Sequence, residues 1–133
     1  MKQPLAAGLL VQALACGVAG TDGATPPRAE QLAAGERAFQ KCYACHAVDP
    51  AEQGAEGPLL RGVVGRKVAA LPGYAYSSAM RFYAADGKAW TGVRLDAFIA
   101  DPQGVVPHTA MNFFGLADAT ERAALIAWLA QQR

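Results

Sequence analysis

The sequence predicts a small all-α domain of three to five helices joined by long loops, and three observations support this. Apolar residues recur at helical spacing in three stretches, near residues 28–43, 92–100 and 118–129. Residues 47–73 are dense in glycine and proline, and no long helix tolerates that density. No stretch shows the apolar and polar alternation of a half-buried strand. The expected domain is therefore helical, with its loops wrapped around a small core.

The first helix is predicted from about Arg28 to Tyr43. Two prolines precede it, and proline suits the first turn of a helix. Leu32, Gly35 and Phe39 share one face. A glycine inside a helix costs about 1 kcal/mol relative to alanine, so we expect a second helix to pack closely at Gly35.

Two helices are expected in the second half of the chain, after a possible short one around 77–83. The first spans 92–100 and ends at the Asp101-Pro102 pair, because the residue before a proline disfavours helix. Residues 104–115 are expected to be loop. The last helix begins after Asp118, which has Glu121 three residues later, a variant of the capping box. Its apolar stripe consists of Leu125, Trp128 and Leu129.

The most specific motif is Cys42-Tyr43-Ala44-Cys45-His46, the attachment sequence of a c-type haem. Cys42 and Cys45 are three residues apart, so both thiols can reach one haem edge from one helical turn and form thioethers. His46 can then place a ring nitrogen on the iron. A redox dithiol would need a βαβ setting, and a zinc site would need further ligands; the chain offers only Cys16 and His108 besides.

Length and charge limit the function further. The chain has 133 residues, which is enough for one domain, and a formal net charge of +1. A near-neutral chain argues against nucleic acid as a partner and predicts weak long-range electrostatic steering.

The N-terminus predicts export. Lys2 precedes an uncharged, mostly apolar stretch, and small residues follow it up to Gly20, as in a secretory signal peptide. We therefore expect a signal peptide over 1–20, cleaved near Gly20, a linker over 21–27 and one haem domain over 28–133. Cys16 leaves a weak alternative, a lipid-anchored or otherwise membrane-tethered form.

The second axial ligand has three candidates in the mature chain: Met80, Met111 and His108. His together with Met is the arrangement used for electron transfer. Met111 lies in a loop braced by Pro107, which suits a ligand that crosses the opposite haem face. Methionine is also an adaptable core residue, so the residues alone leave the choice open.

Beyond the motif, the chain closely resembles class I cytochromes c of the mitochondrial type and their bacterial cytochrome c2-like relatives. The resemblance runs from about Gly35 to Leu129. It is carried, in order, by GERAFQKCYACH (35–46), GPLLRGVVGRK (57–67), GYAYS (73–77), Trp90, VPHTAMNF (106–113) and LIAWL (125–129).

The resemblance implies the small cytochrome c fold around one haem c, attached through Cys42 and Cys45. It implies His46 and Met111 as the iron ligands, with the Pro58 carbonyl accepting a hydrogen bond from the His46 ring. It further implies that Gly35 and Phe39 pack on the last helix near Trp128. Buried haem propionates would be neutralised or hydrogen-bonded by Arg66, Tyr76 and Trp90.

Several positions depart from the pattern of the relatives. Residues 107–111 read Pro-His-Thr-Ala-Met where Pro-Gly-Thr-Lys-Met is usual, and Gln103 and Gly104 stand where lysine is frequent. Docking through a ring of lysines is therefore not expected. Phe98 replaces a tyrosine that usually approaches the methionine sulfur, and Met80 replaces a polar asparagine. Both changes make the distal pocket less polar.

The expected function is that of a periplasmic, monomeric, monohaem electron carrier in a respiratory or photosynthetic chain, not of an enzyme. Its partners would be transient redox proteins. A cytochrome bc complex or a dehydrogenase would be the donor, and an oxidase, reductase or reaction centre the acceptor. Two alternatives remain open: a small-ligand binder or peroxidase-like protein with a labile distal site, and a membrane-tethered subunit of an oxidoreductase complex.

Overall fold

The structure, a computed structural model, describes residues 26–52 and 56–133. The expected signal peptide, Cys16 and most of the linker lie outside these residues. The described chain forms five α-helices: α1 Arg28–Phe39, α2 Ser78–Tyr83, α3 Gly92–Ala100, α4 Pro102–Val105 and α5 Ala119–Leu129. Its only other regular features are a 3₁₀ turn at Pro50–Glu52 and one antiparallel bridge between Lys67 and Ala89. The prediction of an all-α domain with long loops is confirmed.

Helices α1 and α5 pack against each other at a close crossing. A Cβ atom on Gly35 would overlap the Ala124 carbonyl oxygen and Cβ of Trp128. The rings of Phe39 and Trp128 lie 4.9 Å apart. The packing predicted for Gly35 and Phe39 is therefore present, and it explains why a glycine occupies the middle of a helix.

Local signals set the helix starts. The Asp118 side chain accepts from the Glu121 amide at 2.8 Å, as the capping pattern predicts. Thr91 and Ser77 cap α3 and α2 in the same way, each accepting from the amide three residues on. The short α2 and the range of α3 agree with the sequence prediction.

Two predicted boundaries were wrong. Helix α1 ends at Phe39, not at Tyr43, because the chain tightens into a turn in which the Cys42 amide donates to the Phe39 carbonyl at 2.8 Å. The region 104–115 is also not all loop. The four-residue helix α4 begins directly after Asp101, whose side chain caps it. Pro102 stands at its first position, where a missing amide costs nothing.

One apolar core holds these elements together. Buried side chains of α1, α3 and α5 join others from the loops, including Val63, Val68 and Val106. Cys42 and Met111 pack against this same cluster from its partly buried margin. The fold thus brings the start of the haem motif and the candidate distal ligand, 69 positions apart, to one core.

Candidate haem site

The haem motif forms a single helical turn. The amides of Cys45 and His46 both donate to the Cys42 carbonyl, at 3.1 and 2.9 Å. Cys42 is half-buried against the core, and Cys45 is exposed. Lys41, just before the motif, forms a 2.6 Å ion pair with Glu121 of α5. The ion pair links the turn to the last helix, with Cys42 turned toward the core and Cys45 toward solvent.

His46 is buried and held in one orientation. Its Nδ1 lies 2.7 Å from the Pro58 carbonyl oxygen, which can only accept, so Nδ1 carries the proton. This leaves the lone pair of Nε2 for a metal. Gly57 presses on the same ring: a Cβ there would lie 2.5 Å from His46 Cε1 and 2.9 Å from the Cys45 carbonyl oxygen. The Gly57 amide also donates to that carbonyl at 2.6 Å.

Burial of Cys42 and His46 favours the uncharged forms of both side chains. Burial raises the pKa of the Cys42 thiol to about 11, although nearby Lys41 opposes the shift. Burial also lowers the pKa of His46, against the opposing effect of its bond to Pro58. A zinc-bound or redox-active cysteine needs a thiolate, and burial disfavours one at Cys42. In the described parts of the chain, no three Cys, His, Asp or Glu side chains form a metal-binding group. A thioether sulfur and a neutral imidazole fit these surroundings.

Arg66 follows Pro58 by eight positions in the chain, and one of its side-chain hydrogen-bond donors has no partner. Its two terminal nitrogens donate to the carbonyls of Arg61 and Leu59, at 3.1 and 3.0 Å. Its Nε is buried and has no hydrogen-bond partner. Burial lowers the pKa of the guanidinium, and the nearby hydroxyl of Tyr76 opposes that shift. A partly buried cation with a buried free donor is suited to a carboxylate, the group that a haem propionate provides.

Tyr76 and Trp90 lie in the same part of the molecule. The Trp90 amide donates to the Arg66 carbonyl at 2.8 Å, and the Gly65 amide donates to the Trp90 carbonyl. The Trp90 side chain is buried, and its ring lies 5.1 Å from that of Phe98. The Tyr76 hydroxyl accepts from the Leu71 amide at 3.3 Å, which leaves its own proton for another acceptor.

Met111 lies in a loop whose two ends are anchored; we call residues 106–116 the Met111 loop. Val106 and Leu116 at its ends are buried, and the Leu116 amide donates to the Ile99 carbonyl of α3 at 2.9 Å. Arg122 of α5 donates to the Leu116 carbonyl at 2.8 Å and to Asp96 of α3. The methionine itself is half-buried.

The other two ligand candidates are placed differently. Met80 lies in α2, partly buried against the core. His108 is exposed and has φ of +63°, a left-handed conformation that is uncommon for a residue other than glycine. Phe98 is buried with no polar atom in its side chain to offer a neighbouring sulfur.

Sequence reasoning assigned no structural role to three residues that shape this site. Gly57 lets the chain pass over the His46 ring, Thr109 is buried beside Met111, and Gln103 bonds the backbone of the Met111 loop. The Gly-Pro pair at 57–58 was a usable signal for a close backbone approach. Gln103 carried no such signal, since its partners are backbone atoms five and six residues away.

The helical fold and the attachment turn define a c-type cytochrome. The family model described as cytochrome c matches residues 32–133, and the chain belongs to the cytochrome c family. Its relatives place it among class I cytochromes of the c2 type, which carry one covalently attached haem c and transfer electrons.

Individual relatives support this assignment. Cytochrome c2 of Rhodomicrobium vannielii is 41% identical over 98 residues, covering 74% of this chain and 76% of the relative. The c-type cytochrome cy of Rhodobacter capsulatus is 44% identical over 97 residues and 72% of this chain; the match spans only 46% of that longer protein.

Solved structures show the same likeness. Cytochrome cH from Methylobacterium extorquens superposes with a TM-score of 0.67 and 40% identity, covering 74% of this chain and 96% of that one. Cytochrome c2 from Rhodospirillum centenum gives a TM-score of 0.70 with 31% identity, covering 76% and 97%.

Proposed function

We propose that this protein is a periplasmic electron shuttle whose haem is attached through Cys42 and Cys45 and ligated by His46 and Met111. The observation that carries the proposal is the buried His46 ring. Its Nδ1 proton is committed to Pro58, so Nε2 is left as a ligand, directly beside the cysteine pair. When bound, the haem supplies an iron that cycles between ferric and ferrous states by one electron.

The protein's own contribution is to hold both ligands with little movement. Gly57 and Pro58 fix His46 from one side through backbone contacts. The Met111 loop is anchored at both ends to the core. A site that changes little between oxidation states has little to reorganise when an electron arrives. These residues therefore serve electron transfer rather than substrate chemistry.

Arg66, Tyr76 and Trp90 would receive the propionates. The free Nε of Arg66 provides a charged donor. The Tyr76 hydroxyl and the Trp90 ring each add one more donor. Buried carboxylates without such partners would be costly, so this group stabilises the bound cofactor.

Docking of partners would depend on apolar contact more than on charge. Residues 102–117 contain no Asp, Glu, Lys or Arg. Phe114 in the Met111 loop is fully exposed, and Phe113 packs partly on the core. A small apolar surface suits the brief complexes of redox proteins. Donors of the cytochrome bc or dehydrogenase kind, and acceptors of the oxidase, reductase or reaction-centre kind, would meet the monomer here.

The periplasmic location rests on the sequence of residues 1–20, outside the described chain. Among the described helices, none has the length and apolar character needed to cross a bilayer. Mass measurement of the mature protein tests the proposal. Cleavage near Gly20 followed by the linker 21–27 and the haem domain 28–133 supports it. A retained N-terminus or lipid on Cys16 would favour the membrane-tethered form.

A small-ligand binder or peroxidase-like protein is the second candidate. It is favoured by the apolar Phe98 and Met80 in the core region, since a weakly supported methionine sulfur is easier to displace. Cyanide binding to the ferric holoprotein separates the two. Slow binding supports the shuttle, whereas rapid binding at neutral pH supports the alternative.

The proposed function is tested most simply by spectra of both oxidation states with a potentiometric titration. We expect the thioether-linked haem spectrum, a sulfur–iron absorption band in the ferric form and one reversible one-electron transition. Met111→Ala should abolish the sulfur–iron band. A band that survives this substitution would refute Met111 as the ligand.

A further inference from the structure

The backbone before Met111 is held by a single side chain of α4. Gln103 Nε2 donates to the Thr109 carbonyl at 3.2 Å, and Gln103 Oε1 accepts from the His108 amide at 3.2 Å. One side-chain amide thus satisfies a donor and an acceptor on neighbouring residues. Because its nitrogen can only donate and its oxygen can only accept, the pair of bonds fixes the amide in one orientation.

The helix that carries Gln103 is fixed in turn. The Asp101 side chain accepts from the Gly104 amide at 2.9 Å, and Pro102 is buried. A Cβ on residue 104 would overlap the Asp101 carboxylate where it now lies, so glycine there leaves the capping side chain undisturbed. Two of the positions where relatives often carry lysine thus lie in this capped helix. The Gly104 amide donates to the cap, and the Gln103 side chain bonds the Met111 loop.

The loop needs this support at His108. Its φ of +63° is a left-handed conformation, which costs free energy in any residue with a Cβ. Buried Thr109 follows, and its hydroxyl accepts from the Met111 amide at 3.4 Å. The contacts therefore run without a break from Gln103 through His108 and Thr109 to the backbone of Met111.

We propose that Gln103 is a positioning residue for Met111 and holds the loop in the conformation that presents the methionine sulfur to the iron. The inference rests on the proposed function, which makes Met111 the distal ligand. A side chain that stabilises the ligating conformation opposes every other ligand for the same iron position. Its loss should raise the apparent affinity for an added ligand, because the competing conformation is less stable.

The test uses Gln103→Met in the haem-loaded protein, since methionine keeps the length of the side chain and removes both hydrogen-bonding groups. Imidazole binding to the ferric protein is titrated by absorbance. We expect roughly twofold to tenfold tighter binding than in the wild type, the effect of losing one or two ordinary hydrogen bonds. The sulfur–iron band should persist without imidazole, because the anchored loop ends remain.

Gln132→Met is the matched control. Its Nε2 also donates to a backbone carbonyl, that of Trp128 at 3.3 Å, but at the C-terminal end of α5. This variant should bind imidazole as the wild type does. Equal tightening in both variants would overturn the inference, because it would show a general loss of stability.

A second readout concerns His108. In a His108→Gly background the left-handed residue carries no strain, so Gln103→Met should have a smaller effect on imidazole binding than in the wild type. Unchanged imidazole affinity in Gln103→Met, with Met111→Ala still abolishing the sulfur–iron band, overturns the positioning role and leaves the proposed function intact. A sulfur–iron band that survives Met111→Ala overturns both.

Discussion

The two faces of the haem site are built in different ways. On the His46 side, the proposed ligand lies next to the cysteine pair, with Gly57 packed on its ring and its bond to Pro58 spanning 12 positions of chain. On the Met111 side, the proposed ligand is half-buried and is positioned by a loop with an exposed surface and a left-handed residue. The first face relies on close packing of backbone against ring, and the second on a few side-chain hydrogen bonds.

This difference has a functional meaning. Close packing leaves His46 one position, so the proximal ligand is a fixed part of the fold. Hydrogen bonds near the surface are worth less each, so the distal loop is the part that another ligand or a substitution can shift. An electron carrier needs both axial positions of its haem filled. The stability of the distal loop decides how easily another ligand can displace the one on that side.

The largest expected effect is on the proximal face. Gly57→Ala would place a Cβ 2.5 Å from His46 Cε1 and 2.9 Å from the Cys45 carbonyl oxygen. Neither neighbour is a flexible side-chain end, so the segment must shift. We expect a loss of about 1–3 kcal/mol in the free energy of unfolding of the holoprotein, measured with guanidinium chloride. Gly92→Ala is the control: its Cβ would meet Ile126 at an ordinary 3.8 Å, and no loss is expected there. Equal losses would contradict a packed proximal face.

A somewhat smaller effect is expected at Arg66, on the segment that continues from Pro58. Lysine keeps the charge, but its single ammonium group cannot donate to the Arg61 carbonyl, the Leu59 carbonyl and a propionate at the same time. We expect Arg66→Lys to lower the free energy of unfolding by about 1–2 kcal/mol in the same assay. Arg37→Lys, at an exposed site of α1, serves as the control and should cost less. If Arg66→Lys is silent, the proposed propionate site is wrong.

A gain in stability is expected from one substitution on the distal face. His108→Gly removes the strain of φ +63°, offset in part by the greater freedom of glycine in the unfolded chain. The net expectation is an increase of about 0.5–1 kcal/mol in the free energy of unfolding. His108→Ala retains the Cβ and should gain nothing. A loss in the glycine variant would mean that the His108 side chain itself supports the loop.

The smallest effect concerns docking. Because residues 102–117 carry no formal charge, the rate of electron exchange with a partner protein should change little as ionic strength rises. The measurement is a stopped-flow rate at several salt concentrations with one purified redox partner. A steep fall in rate with salt would show that charges elsewhere on the surface direct the encounter, and would remove the proposed apolar docking surface.

The comparison also shows what a sequence can predict. The attachment motif, the cap at Asp118 and the range of α3 follow from local patterns, and the structure contains all three. The end of α1 and the existence of α4 were not predicted from the sequence. At the first, a tight turn competes closely with continued helix, and at the second, a capped helical turn competes closely with loop. The close approach at Gly35 could be inferred, since a glycine within a helix has a cost that needs a reason.

The candidate site divides in the same way. The motif predicted the cysteine pair and His46, the residues alone left the second ligand open among Met80, Met111 and His108, and the family resemblance supplied Pro58, Arg66 and Met111 as proposals. The roles of Gly57 and Gln103 were not visible, since they lie in contacts between a side chain or ring and distant backbone atoms. Such contacts depend on the three-dimensional path of the chain.

Carbon monoxide binding to the ferrous holoprotein is the most direct test of the central claim, that both axial positions are filled by this chain. The ferrous protein is mixed with carbon monoxide at neutral pH without denaturant, and its spectrum is followed in time. The account predicts no rapid change, because the proposed ligand Met111 would occupy the distal position. Rapid and stoichiometric binding would contradict it and identify the protein as a ligand binder.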